Sequence, residues 1–259
     1  MIIDTHSHLN FKAYDTDRGE VIKRNLESGV VCIDIGVNYK TSKAAVDLAK
    51  KSENIFSAIG IHPSEIGEEF DKNKYKELAK SKKVVAIGEI GLDYYYKPKT
   101  KTRLEQFKEK QKEVFLQQLK LAEELNLPAI IHCRMAHADV IEILKNYSLP
   151  ATNYKLTGVI HCFTGNWEEA QKYLELGFYL GINGIIFKFD INETIKNCPL
   201  DKILIETDCP YLTPPMAGAE RNEPIFVKHV IQKIAEIKKI SFNEVALATT
   251  QNAKALFKI

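Results

Sequence analysis

The chain has 259 residues, with 36 basic against 34 acidic side chains and a formal net charge of +2. That near-balance excludes a protein that grips nucleic acid over a broad basic surface, so any attraction to phosphate must be local. The longest apolar stretches are strand-sized, which excludes a membrane span of helices, and the five cysteines (Cys32, Cys133, Cys162, Cys198, Cys209) are odd in number and lack C-x-x-C spacing, which excludes a disulfide framework or zinc ribbon.

Met1-Ile2-Ile3-Asp4-Thr5-His6-Ser7-His8 reads as a buried strand that ends in two histidines. Side chains alternate across a strand, so His6 and His8 share a face and can grip one divalent ion, each through a ring nitrogen about 2 Å from it. Further strands are expected at Val30 to Ile35, Ile55 to Ile61, Val84 to Ile90, Ala129 to Ile131, Gly158 to Ile160, Phe178 to Ile182 and Ile203 to Glu206, after a first one at Ile2 to Thr5. Amphipathic helical patterns lie between them. Asp17 is placed to cap a helix running to Gly29, and Asn166 to cap Trp167 to Leu176 ahead of Gly177. Leu104, Phe107, Val114, Leu121 and Leu125 mark the longest helix, before Pro128, and Ser241-Phe242-Asn243-Glu244 is a capping box that opens the last one. Eight strands alternating with helices predict an α/β fold, a (β/α)8 TIM barrel, as a single domain over residues 1–259; a doubly wound open sheet is the alternative.

The loops that follow the strands of such a barrel open on one face and carry its chemistry. Here strand one delivers His6 and His8, strand three His62, strand four Glu89, strand five His132, strand six His161, and strand eight Glu206 and Asp208. Converging histidines and carboxylates must each be desolvated at a cost, and a metal site accounts for them together. His6, His8, Glu89, His132, His161 and Asp208 suffice for two divalent ions, with Glu89 as the bridge between Gly88 and Gly91. Imidazole and carboxylate ligands suit zinc, manganese or nickel, with magnesium also to be considered. Cys133, Cys162 and Cys209, each directly after a proposed ligand, are expected to face the helix layer. Glu206, two residues before Asp208, is expected to orient a ligand rather than coordinate.

These positions belong to longer motifs: Asp4-Thr5-His6-Ser7-His8-Leu9, Gly60-Ile61-His62-Pro63, Gly88-Glu89-Ile90-Gly91-Leu92-Asp93-Tyr94, Ile131-His132-Cys133-Arg134, His161-Cys162-Phe163-Thr164-Gly165, Glu206-Thr207-Asp208-Cys209-Pro210-Tyr211-Leu212 and Arg221-Asn222-Glu223-Pro224. In this order, across nearly the whole chain, they resemble the TatD family of metal-dependent deoxyribonucleases within the amidohydrolase-like barrel enzymes. The resemblance implies a two-metal centre acting on DNA as a 3′→5′ exonuclease on single strands, with the six ligand roles as above. It departs from the family pattern at Met135-Ala136-His137, where an acidic residue would stand beside the alanine.

Asp208 is expected to serve as ligand and general base, with Glu89 also in the catalytic centre, and His62, Arg134 and Arg221 as phosphate or sugar contacts. For Arg221 a pairing with Glu223 or Glu206 competes with that role. Tyr94-Tyr95-Tyr96 followed by Lys97, Lys99, Lys101 and Arg103 offers aromatic and basic groups suited to a single strand, or else a solvated lysine run beside packed tyrosines. Single-stranded DNA is the expected partner, with no membrane and no obligate protein partner. No basic and apolar leader precedes Asp4, so the expected compartment is the cytoplasm. The rival activity is hydrolysis of a carbonyl substrate such as an aminoacyl ester, amide or lactone; a lysine at the end of strand four would favour it, and Glu89 stands there instead.

Overall fold

Short β-branched runs that are apolar on both faces can be buried only where helices cover one side and other strands the other. The computed structural model, which describes residues 1–67, 69–147 and 156–259, meets that demand with eight parallel strands. They are β1 (Ile2–Ser7), β2 (Val30–Ile35), β3 (Ile55–Ile59), β4 (Val84–Asp93), β5 (Ala129–Arg134), β6 (Gly158–His161), β7 (Tyr179–Ile182) and β8 (Ile203–Ile205). Each pairs in parallel with the next in sequence order. The helices are α1 (Arg18–Glu27), α2 (Tyr39–Ala49), α3 (Lys72–Ala79), α4 (Lys101–Leu125), α5 (His137–Tyr147), α6 (Trp167–Glu175), α7 (Asn192–Asn197), α8 (Val227–Lys238) and α9 (Phe242–Phe257).

The seam between β1 and β8 closes the (β/α)8 barrel at its site end. Ser7 bridges Cys209 in parallel, the Asp208 amide donates to the His6 carbonyl at 2.8 Å, and the His8 amide to the Cys209 carbonyl at 2.9 Å. Buried Asp4 ties the same seam, accepting from the Thr207 amide (2.9 Å) and hydroxyl (2.6 Å). Burial pushes its carboxyl up to about 8 against the lowering effect of those bonds.

Alternation sorts the core into two layers. Ile130, Val159 and Leu204, each two residues before His132, His161 or Glu206, cluster with Ile3, Ile33 and Ala58 and are joined by Ala253, Leu256 and Phe257 of α9. This packing lies beneath the site and supports it. The intervening residues, such as Ile131, Ile160 and Ile205, face Leu119 of α4, Tyr173 of α6 and Ile231 of α8. Cys133 and Cys209 also lie in buried apolar clusters, as alternation requires.

The expected caps of α6 and α9 form as reciprocal boxes, Asn166 with Glu169 and Ser241 with Glu244. Asp17 does stand at the N-cap of α1, but its side chain makes no cap bond. Its carboxylate is drawn instead to the guanidinium of Arg221, at 2.6 and 2.9 Å, a charge-assisted pairing that outcompetes a neutral amide. No helix among the described residues is long and apolar enough to cross a membrane.

Candidate metal centre

β1 carries His6 and His8 to the mouth of the barrel, and the loop after β8 brings Asp208 to them. Four donor atoms gather there: His6 Nε2 lies 3.3 Å from His8 Nε2 and 3.4 Å from Glu89 Oε2, and His8 Nε2 lies 3.5 Å from Asp208 Oδ1. The remaining His6–Asp208 and His8–Glu89 separations are 3.9 and 4.0 Å. A tetrahedral ion with bonds of 2.0–2.2 Å needs ligand atoms about 3.3–3.6 Å apart; the three shorter separations match that spacing, and His6, His8 and Asp208 form one cluster able to hold a cation. The His8 ring is set for the task, because its Nδ1 donates to the Ile35 carbonyl at 3.0 Å and leaves the Nε2 lone pair facing the nest.

The other oxygen of Glu89 faces a second group. Glu89 Oε1 lies 2.7 Å from His132 Nδ1, 3.5 Å from His62 Nε2 and 3.7 Å from His161 Nε2. His161 turns its other nitrogen to buried Glu206, whose Oε1 lies 2.8 Å from Nδ1 as an ion pair and accepts hydrogen bonds from the Cys162 amide (2.7 Å) and the Asn183 side chain (3.0 Å). One carboxylate thus stands between two sets of imidazoles.

The electrostatics follow from that crowding. Burial alone would raise Glu89, but the neighbouring imidazoles of His62 and His6 and the bonds from His132 and His6 hold it well below the usual carboxylate range. Burial likewise opposes the charge on His161, yet Glu206, Glu89 and Asp208 outweigh it and lift the ring to about 10. His62 goes the other way. Burial drops it to about 3, and its Nδ1 accepts from the Ser64 amide at 3.0 Å, so the neutral ring carries its proton on Nε2. A protonated nitrogen donates a hydrogen bond and cannot ligate a cation.

Close packing of backbone makes room for Glu89. A Cβ on Gly88 would lie 2.5 Å from Ile130 Cβ, and one on Gly91, at φ +141°, would collide with the His132 carbonyl. β4 runs on to Asp93, three residues past its expected end, with Gly91 opposite His132 and Asp93 opposite Arg134. Asp93 therefore joins the site: its Oδ2 is 3.2 Å from His132 Nε2. The period-two pattern Glu89, Gly91, Asp93 carried that signal, concealed by the early strand end. Asn183 offered none, since its place depends on the turn after β7.

Alternation fails at Cys162. Its backbone is left-handed, at φ +47°, and its thiol comes into one cluster with His161 and Asp208 while the residue still packs against the apolar cluster beneath the helices. Of the two arginines, Arg134 is exposed at the mouth, with Cζ 3.7 Å from the Tyr95 ring centre. Arg221 has no contact with the metal cluster among its described bonds. It donates to Asp17, to Glu223 (3.3 Å) and to the Ala13 carbonyl (2.5 Å), the pairing with Glu223 weighed above, and Glu206 is not among its partners. His137, beside the departure from the family pattern, packs with Cys133 and Tyr173 and stays out of the centre.

The family described as TatD related DNase matches residues 3–258. The chain belongs to that family. Its TatD relatives include YabD of Bacillus subtilis, named an uncharacterized metal-dependent hydrolase, 43% identical over 265 residues with 100% of both chains covered. A protein of Escherichia fergusonii named 3′-5′ ssDNA/RNA exonuclease TatD is 34% identical over 270 residues, covering 100% of this chain and 99% of that one. Among solved structures, the TatD homolog YjjV of Escherichia coli K12 superposes with a TM-score of 0.88 at 28% identity, covering 100% and 98% of the two chains. The protein is a metal-dependent hydrolase of the TatD family, and its histidines and carboxylates form clusters suited to hold the metal.

Proposed function

We propose that this hydrolase is a deoxyribonuclease, a 3′→5′ exonuclease on single-stranded DNA, working with two divalent ions. The observation that supports this reading is the division of Glu89, with Oε2 among His6, His8 and Asp208 and Oε1 among His132, His161 and His62. His6, His8, Glu89 and Asp208 would hold one ion, and Glu89, His132 and His161 the other, with zinc, manganese, nickel or magnesium as candidates. Bound divalent ions supply positive charge for the phosphoryl oxygens and lower the pKa of water to about 7.

The chain's own groups do the rest. Asp208 takes the proton of the attacking water: burial opposes its charge, but bonds and charges from His8, His161 and His6 keep it ionised. His62 directs an Nε2–H toward the centre and so offers a donor to a phosphoryl oxygen. Asp93 and Glu206 hold the rings of His132 and His161. Arg134, exposed at the rim against Tyr95, offers its donors for a phosphate contact.

The test is a time course of metal-reconstituted protein on single-stranded DNA labelled at the 5′ end, with magnesium, manganese and zinc in parallel. A ladder shortening from the 3′ end, abolished by chelator and by Asp208→Asn, supports the reading. Absence of cleavage with all three metals overturns it and moves attention to aminoacyl esters and other carbonyl substrates.

A further inference from the structure

The three tyrosines after β4 do not share one role. Tyr94 is buried; its hydroxyl donates to Asp139 at 2.7 Å and Lys108 sits over its ring. Tyr95 and Tyr96 are 49% and 78% exposed, with rings edge to face at 4.7 Å. Large exposed aromatic rings lose favourable burial unless something covers them. Their place is fixed from the metal centre: Asp93, whose Oδ2 faces His132, accepts the Tyr95 amide on Oδ1 at 2.8 Å, and Gln111 of α4 clamps the Asp93 backbone.

Arg134, two residues beyond His132 on β5, lays its guanidinium on Tyr95 at 3.7 Å and reaches within 5.8 Å of the Tyr96 centre. Among the described residues its side chain makes no hydrogen bond and no close ion pair, Asp93 acting on it only through charge, although a guanidinium carries five donors. A charged planar fork, stacked on Tyr95 and exposed with its donors unbonded among the described residues, matches the bidentate geometry of a phosphate. Exposed Lys97, Lys99, Lys101 and Arg103 continue the basic side of the rim, with no acidic residue before Glu105.

We propose that Arg134, Tyr95 and Tyr96 form a nucleotide subsite of a bound single strand, next to the metal centre. The edge of Arg134 takes the phosphate flanking the scissile one, Tyr95 is the positioning residue that holds the guanidinium flat, and Tyr96 stacks on a base. This rests on the phosphodiesterase reading above, and its test is a binding measurement that needs no cleavage. Fluorescence anisotropy of the metal-loaded enzyme is followed with a labelled single-stranded oligonucleotide whose 3′ linkages are phosphorothioates, at several salt concentrations. A second strand of the same length carries abasic sites at its 3′ end, and a third is RNA of the same sequence. Metal content and melting temperature of each variant are recorded beside it.

Three results are expected. Arg134→Ala weakens binding and lowers the slope of log affinity on log salt by about 0.7, the value for one phosphate contact on a single strand. Tyr95→Ala reproduces that loss, Tyr95→Phe restores it, and the double variant Tyr95→Ala/Arg134→Ala is no weaker than Arg134→Ala, since the tyrosine acts through the arginine. Tyr96→Ala weakens the base-bearing DNA and RNA about five- to hundredfold, leaves the salt slope unchanged, and has no effect on the abasic strand. An unchanged slope in Arg134→Ala, or equal effects of Tyr96→Ala on both kinds of strand, overturns the subsite. A wild type that cleaves no phosphodiester while these binding effects hold refutes the proposed reaction and leaves the subsite standing.

Discussion

Replacing Glu206 by glutamine removes one charge from a buried carboxylate just outside the proposed ligand set. Glu206 Oε1 serves three groups, the Cys162 amide, the Asn183 side chain and His161 Nδ1, at 2.7, 3.0 and 2.8 Å. In the variant the amide oxygen still accepts from the first two. The new NH2 falls where Oε2 stood, an atom with no hydrogen-bond partner, packed so close to Gly181 that a Cβ there would lie 2.6 Å away. A buried donor without an acceptor costs about 1–3 kcal/mol of stability. The metal should feel the change more sharply: loss of a carboxylate that orients a ligating imidazole costs about 10–100-fold in metal affinity. Urea unfolding of the chelated protein measures the first effect, and competition with a chromogenic chelator the second. A Glu206→Gln protein that pays the stability penalty yet binds metal within threefold of wild type would refute the claim that this carboxylate orients His161 for an ion.

Other perturbations read different parts of the structure. Asp4→Ala leaves the Thr207 amide and hydroxyl and the His6 amide without their acceptor, so chemical denaturation should show a loss of about 3 kcal/mol or more; a loss under 1 kcal/mol would mean the seam is held elsewhere. Gly91→Ala forces a side chain against the His132 carbonyl at a φ that L-residues rarely adopt, and the purified protein should bind less metal per chain by elemental analysis. Metal uptake at neutral pH should release a proton, because His161, raised to about 10, must give up Nε2–H before it can ligate. Affinity should therefore rise with pH between 6 and 8, by up to about tenfold per unit for each proton released, and a pH-independent affinity with no acid release in weak buffer would contradict it.

Much of the barrel was legible because its signals are local. β2 was bounded correctly from Val30 to Ile35, since a β-branched run set off by Gly29 and Gly36 needs no distant information. The capping boxes of α6 and α9 were equally plain, being four-residue motifs whose partners are fixed by helix geometry. The convergence of His6, His8, Glu89, His132, His161 and Asp208 could be inferred because every parallel strand of a closed barrel ends on the same face. That Glu206 faces the site could be read from its two-residue offset from Asp208, while its partner there, His161, is set by the fold.

What the sequence could not decide depended on groups far apart in the chain. Whether Asp17 caps its helix or binds an arginine is settled by Arg221, which only the folded chain brings beside it. Cys162 obeys alternation until its backbone turns left-handed, and Asp93 enters the site only because β4 stays paired with β5 as far as Arg134. The sharing of Glu89 between two sets of imidazoles, and the stacking of Arg134 on Tyr95 but not Tyr94, likewise exist only in three dimensions. Periodicity and capping depend on neighbours within a few residues, so they can be read along the chain. Competition between partners for one charged group is resolved by distance in space, and only the closed barrel sets those distances.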